Sequence, residues 1–178
     1  MNEVRRRSRR ESSSLLGLLV ASSLRLTKPY VMAILKVLLP KARDRDPVVG
    51  ANVLTAMGEL ARVGGEDVLP RLKEYMSLIL DGLGDTTSPI KREAALKALG
   101  QLSSHTGYVI EPYVEHPDLL SNLIGILQTD AAQPTRREAI KVMGILGALD
   151  PYKHTVRFNS AVCRWNGAQE CTGRRASC

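Results

Sequence analysis

An apolar residue followed by glycine recurs four times at nearly constant spacing, as Leu16-Gly17, Met57-Gly58, Leu99-Gly100 and Met143-Gly144, at intervals of 41, 42 and 44 residues. Two positions after each glycine stands Leu19, Leu60, Leu102 or Leu146, and four before it stands Ser13, Leu54, Leu96 or Ile140. A second marker keeps step: Pro29, Pro70 and Pro112 each follow their glycine by 12 residues, while in the fourth unit Pro151 follows by only seven. A repeat of this length means that one structural unit recurs and buries its apolar face against copies of itself. That excludes most folds a chain of 178 residues can adopt.

Each unit reads as two helices. In the third, Ile90, Ala94, Ala98 and Leu102, with Ala95 and Leu99 beside them, form a stripe at steps of three and four, between a Ser88-Pro89 start and a Gly107 stop. Its partner carries Leu119, Leu120, Leu123, Ile124 and Leu127. The second unit gives helices over 48–63 and 67–83 around a Gly64-Gly65 turn, the later one through Val68, Leu72, Tyr75, Met76, Ile79 and Leu83. The first gives 12–26 and 29–41, and the fourth one helix over 134–149. Glycine inside a helix costs about 1 kcal/mol relative to alanine, so its recurrence at one phase calls for close packing against a neighbouring helix. Gly17, Gly58, Gly100 and Gly144, with Leu60, Leu102 and Leu146, are therefore the expected repeat-packing residues. Helix pairs repeating every ~40–47 residues build HEAT and armadillo solenoids. The expected fold is all-α, a HEAT-like solenoid of about three and a half helix pairs, with units near 12–46, 47–87, 88–133 and 134–149. Residues 1–11 are expected to be a disordered basic leader and 150–178 a disordered, aperiodic tail.

The net charge of +7 invites a nucleic-acid reading until the excess is located. Residues 1–10 carry Arg5, Arg6, Arg7, Arg9 and Arg10 against Glu3, and residues 155–178 carry Arg157, Arg164, Arg174 and Arg175 against Glu170. Removing these from the totals of 25 and 18 leaves sixteen charges of each sign in the body. Nucleic acid is therefore not the expected partner, and the alternative, a stand-alone adaptor that binds nucleic acid or an importin, rests on Arg5–Arg10 alone. The basic run followed by Leu15–Ala21 has the outline of a signal peptide, but Glu11 and Ser12–Ser14 separate the two parts. No stretch approaches the ~18–20 apolar residues of a membrane span.

Two strings are more specific than the repeat. One is Lys91-Arg92-Glu93-Ala94-Ala95-Leu96-Lys97-Ala98-Leu99-Gly100-Gln101-Leu102, continuing through Thr106–Tyr113. The other runs from Thr135-Arg136-Arg137-Glu138-Ala139-Ile140-Lys141 through Val142-Met143-Gly144-Ile145-Leu146-Gly147 to His154. Both resemble the target-of-rapamycin (TOR) kinases, members of the phosphatidylinositol-3-kinase-related family. The match is good over 47–154, weaker over 11–46, and absent from 1–10 and from 155 onward. The resemblance implies a segment of the N-terminal HEAT solenoid of a giant Ser/Thr kinase, which carries dimerisation and docks Raptor-type adaptors and does no chemistry. It also implies a cytoplasmic setting, peripheral to endomembranes within a larger complex. The family continues into further helices after His154, whereas residues 155–178 show no helical period. A truncated or mis-spliced reading frame and a native tail both account for that.

Chemistry is not expected. A kinase domain needs a Gly-rich phosphate loop, a strand-borne Lys, a catalytic-loop Asp and a metal-binding Asp. Gly82-Leu83-Gly84-Asp85 is too short for such a loop and reads as a helix end. Cys163, Cys171 and Cys178 lack the close pair of a zinc site, and His105, His116 and His154 stand alone near expected helix ends. No catalytic residue, metal or cofactor is expected. Arg92/Glu93 and Arg136/Arg137/Glu138 recur at one phase and either pair between units or are solvated. Tyr108 and Tyr113 flank Pro112 and either pack the turn or contact a partner.

Overall fold

The computed structural model describes residues 2–146. They form nine α-helices in this order: α1 Asn2–Ser22, α2 Leu24–Thr27, α3 Val31–Leu38, α4 Pro47–Gly64, α5 Leu72–Leu83, α6 Pro89–Thr106, α7 Glu111–Glu115, α8 Asp118–Thr129 and α9 Gln133–Leu146. Short 3₁₀ turns at Lys28–Tyr30, Leu39–Arg43 and Gly65–Arg71 join some of them, and no strand occurs among the described residues. The expected tail, with Leu149, His154 and the three cysteines, lies outside the described residues.

The long first helices of successive units form one layer, in which α1 packs on α4, α4 on α6, and α6 on α9. The second layer, α3, α5 and α8, lies against the first through α3 on α4, α5 on α6, and α8 on α9. This is an all-α, HEAT-like solenoid. Its inner helices α4 and α6 have neighbours on both sides, so they are buried nearly all round; α4 alone buries Val49, Ala51, Val53, Leu54, Ala56, Met57, Leu60 and Ala61. A helix enclosed on several sides loses the one-sided stripe that marks a surface helix. The stripe expected in the third unit accordingly spreads around α6, where Leu96 is buried, and its first member, Ile90, is 62% exposed.

Boundaries follow local chemistry. Asp46 and Ser88 accept N–H bonds from Val48 and Lys91 as caps, each followed by a proline at the first helical position. Gly107 closes α6 in the left-handed region at φ 71°, its N–H donating to the Ser103 carbonyl, a conformation glycine adopts without strain. The marker prolines do not open the second helices directly. Pro29 and Pro70 sit in 3₁₀ turns that end one residue before α3 and α5, and Pro112 lies in the first turn of the short α7, ahead of α8. A ring without an N–H suits a turn that redirects the chain before the next helix starts.

The basic leader departs from expectation. Residues 2–11, expected to be disordered, are the first half of α1. The cause is electrostatic: Arg6 and Arg10 meet Asp46 at 2.8 and 2.7 Å, Arg9 meets Asp44 at 3.3 Å, and Arg7 pairs with Glu11 one turn along.

Candidate functional site

The seams between units are where residues from separate repeats converge. Asp46 stands at the start of α4 with its side chain 2% exposed, and receives Arg6 Nε, Arg10 Nε and Arg10 Nη2 from α1 as well as its own Val48 N–H. The Arg10 hydrogen bond outweighs the cost of burial and, with Arg6, holds this carboxyl far below the usual carboxylate range. Beside it, Asn52 Nδ2 donates to Ser13 Oγ at 3.0 Å and to the Arg10 carbonyl at 3.3 Å. The end of α8, just ahead of α9, repeats the device. Arg92 on α6 reaches Asp130, whose side chain is 2% exposed, at 2.6 and 2.7 Å, and donates to the Asp85 carbonyl at 2.8 Å. Arg10 to Asp46 and Arg92 to Asp130 span 36 and 38 residues, close to one repeat. Arg92 is not solvated: its acid partner Asp130 lies in its own unit, its contact to the Asp85 carbonyl reaches the preceding unit, and Glu93 turns back to Lys97 on its own helix. The α4–α6 seam is bridged by Gln101 Nε2 donating to Glu59 Oε1 at 2.7 Å.

The four phased glycines occupy unlike surroundings. A Cβ on Gly58 would overlap the Gln101 amide oxygen and approach Ala98 Cα at 3.1 Å. On Gly100 it would meet Val142 at 3.3 Å, and on Gly17 only Ala56 Cβ at an ordinary 3.8 Å. Gly144 has nothing within 4 Å among the described residues, so the close neighbour expected there is not found. The tightest apolar approaches are at Gly82, where a Cβ would lie 2.9 Å from Ala95 Cβ and 3.1 Å from Leu54 Cδ1, and equally at Gly64, 2.9 Å from Val31 and 3.1 Å from Val68. The Gly82-Leu83-Gly84 string is thus the crowded end of α5. Leu60, Leu102 and Leu146 are all in the core. The fourth-unit stripe, expected to stand open to water through Ile140, Met143, Leu146 and Leu149, is corrected in part: Leu146 is 2% exposed, while Ile140 is 57% exposed.

These surroundings set the sign of two substitutions. Gly58→Ala will destabilise the chain by about 1–3 kcal/mol, because the Gln101 amide must leave Glu59 and α6 must shift, which outweighs a helix-propensity gain of about 1 kcal/mol. Gly144→Ala will raise stability by about 0.5–1 kcal/mol, since no described neighbour opposes the propensity gain there. Urea midpoints at constant m-value read both.

Tyr108 does not stand ready for a partner. It is 4% exposed and donates from its hydroxyl to Glu115, and burial first, then that carboxylate, push its titration well up. Tyr113 is half-buried against the same core. The geometry is turn packing, and it corrects the partner-contact reading of Tyr108. His105 Nδ1 lies 2.8 Å from the Gln101 carbonyl one turn earlier, and among the described residues no group of three or more His, Cys, Asp or Glu could hold a metal ion.

Sequence reasoning missed Asp46, Asp130, Asn52 and Gly82. The signal for the aspartates was present, as an acid one repeat beyond an arginine and just ahead of a helix start.

Comparison with known proteins then decides the kinship. A family model described as Serine/threonine-protein kinase mTOR domain matches residues 109–174. The chain is 48% identical over 149 residues to the Serine/threonine-protein kinase tor1 of Schizosaccharomyces pombe, covering 83% of this chain and 6% of that protein. It is 45% identical over 148 residues to TOR2 of Saccharomyces cerevisiae, with the same coverage, and 45% identical over 152 residues to mTor of Drosophila melanogaster, again at 83% and 6%. The chain belongs to the TOR kinase family. It spans about 6% of the length of the curated relatives it matches, all of them named as kinases or as a target-of-rapamycin homologue. Three of the leader's five arginines are engaged by Asp44 and Asp46. Among the described residues no single helix is long and apolar enough to cross a membrane.

Proposed function

We propose that this chain is a non-catalytic length of the N-terminal helical scaffold of a TOR-type Ser/Thr kinase, whose role is to hold its neighbours and protein partners in register. Its units are those near 12–46, 47–87, 88–133 and 134–149, with residues 2–11 joined to the first. The observation that carries this is the row α1, α4, α6 and α9, with an Arg–Asp clamp beside the α1–α4 and the α6–α9 contacts and Gln101 to Glu59 between α4 and α6. Such a row gives a stiff, extendable surface. The partners are proteins, a Raptor-type adaptor and a further TOR chain, and the setting is cytoplasmic within a larger complex. No cofactor is required.

The test pairs two measurements on the purified chain. Magnesium-ATP is expected to leave its melting temperature unchanged, since a ligand that binds the folded state must raise apparent stability. A nucleotide-dependent rise would overturn the non-catalytic reading. A Raptor-type adaptor is expected to sediment with the chain, and its failure to do so would overturn the adaptor assignment.

A further inference from the structure

The Arg5–Arg10 run is only partly absorbed by the clamp at Asp46, and its pattern carries more than charge. The chain has five adjacent arginine pairs, and in three of them a serine stands two residues after the second arginine: Arg5-Arg6-Arg7-Ser8, Arg9-Arg10-Glu11-Ser12 and Arg174-Arg175-Ala176-Ser177. The last lies outside the described residues. The pair inside the solenoid, Arg136-Arg137, is followed at that place by Ala139, which is buried. Two arginines at fixed distances before a hydroxyl form a charge pattern that a protein kinase with an acidic substrate groove reads.

The structure leaves the two described serines open to such an enzyme. Ser8 and Ser12 are exposed and lie four residues apart, so they share one face of α1 with Arg5 and Arg9 three residues before each. None of residues 3–12 is buried, and the first buried residue of α1 is Val20. The opening turns of the helix are therefore held by their ion pairs, with no apolar burial, which places them at the low-stability end of the fold where local opening is frequent. A kinase needs such opening to take its substrate in extended form.

We propose that Ser8 and Ser12 are phosphoacceptor sites for a basophilic Ser/Thr protein kinase acting on this chain, and that the phosphates release the start of α1 from Asp44 and Asp46. In the transfer the serine Oγ bonds to the γ-phosphorus of magnesium-ATP as the bond from that phosphorus to the β–γ bridging oxygen breaks. ADP leaves, and the hydroxyl proton passes to the kinase's catalytic carboxylate. Each phosphate brings about −1.5 to −2 charges at pH 7. Residues 3–12 hold five arginines against two glutamates, so two phosphates cancel the excess that draws this segment to the aspartates. A phosphate on Ser12 sits one turn from Arg9 and competes with Asp44 for it, a pair whose arginine is already half exposed. A phosphate on Ser8 sits one turn from both Glu11 and Ser12, where like charges weaken the helix. The inference is independent of the scaffold reading, since it concerns only this segment and its own clamp.

The test uses the full chain with Ser177→Ala, treated with the catalytic subunit of cAMP-dependent protein kinase and magnesium-ATP, with sites mapped by mass spectrometry. Phosphate is expected on Ser8 and Ser12, each lost in the Ser8→Ala or Ser12→Ala variant, and Asp46→Asn is expected to speed labelling several-fold by releasing the segment. Absence of phosphate on both serines overturns the site assignment. Hydrogen exchange on the doubly phosphorylated chain should then be about tenfold faster over residues 2–12 and unchanged over 133–146. Phosphorylation that leaves exchange over 2–12 unchanged overturns the release.

Discussion

Arg92→Ala is expected to lower the unfolding free energy of the chain by about 3–5 kcal/mol, a large part of the 5–15 kcal/mol that a domain of this size commonly has. The cost does not come from the ion pair as a sum of attractions. Two charges taken out of water lose most of their hydration, and their mutual attraction roughly restores it. Removing one leaves the other stranded. Asp130 would keep its bond from the Ala132 N–H at 2.8 Å but lose both contacts from the guanidinium, with only 2% of its side chain open to water. The Asp85 carbonyl would lose its donor as well. Two further variants separate this account from simple loss of packing. Asp130→Asn placed in the Arg92→Ala background should recover part of the loss, because a neutral amide is cheaper to bury unpaired than a carboxylate. Arg92→Lys should recover little, since a single ammonium cannot span Asp130 and the Asp85 carbonyl as the planar fork does. Urea unfolding at constant m-value measures all three. If Arg92→Ala changed stability by less than ~1 kcal/mol, the pair would be a solvated surface contact and the clamp from α6 to the end of α8 would have to be abandoned.

Leu146→Glu is expected to cost several kcal/mol. Truncating a buried leucine to alanine removes about 2–5 kcal/mol, and a carboxylate in the same place adds the penalty of an unpaired charge. The loss should fall on α9 and its contacts with α6 and α8, where Leu146 belongs to the core. Ile140→Glu is the matched control. That side chain is 57% exposed on the same helix, and its replacement should stay within about ±0.5 kcal/mol. The steps of three from Ile140 through Met143 to Leu146 make the two residues members of one expected stripe, so a large difference between them would report tertiary environment. Hydrogen exchange of α9 amides, together with the urea midpoint, distinguishes local melting of the last unit from global loss. Equal effects of the two substitutions would mean that α9 is rotated from the orientation described.

Much of this molecule is legible in its residues. The interval of the apolar-Gly pairs, the Asp46-Pro47 and Ser88-Pro89 starts and the Gly107 stop are local or periodic signals, and they are sufficient for an all-α repeat of helix pairs with the long helices near where they are found. Local chemistry acts within a few residues, so sequence alone can carry it. The core leucines Leu60, Leu102 and Leu146 follow from the same period.

What only the tertiary structure decided is which equivalent positions become different. Gly58 is pinned by Gln101 and Ala98 while Gly144 has open space among the described residues, although both stand at the same phase, because α4 lies between two neighbours and α9 is the last helix described. Ile90 keeps the period of its stripe and still faces water. The leader was the plainest case. Five arginines in six residues look like a repelling, disordered run, against which Arg7 to Glu11 is a weak local pair. They form a helix because Asp44 and Asp46, more than 30 residues away, arrive beside them once α1 lies on α4. Charge pairing across such a separation depends on the packed geometry that brings the groups within a few ångströms, and a linear pattern of residues holds that distance nowhere.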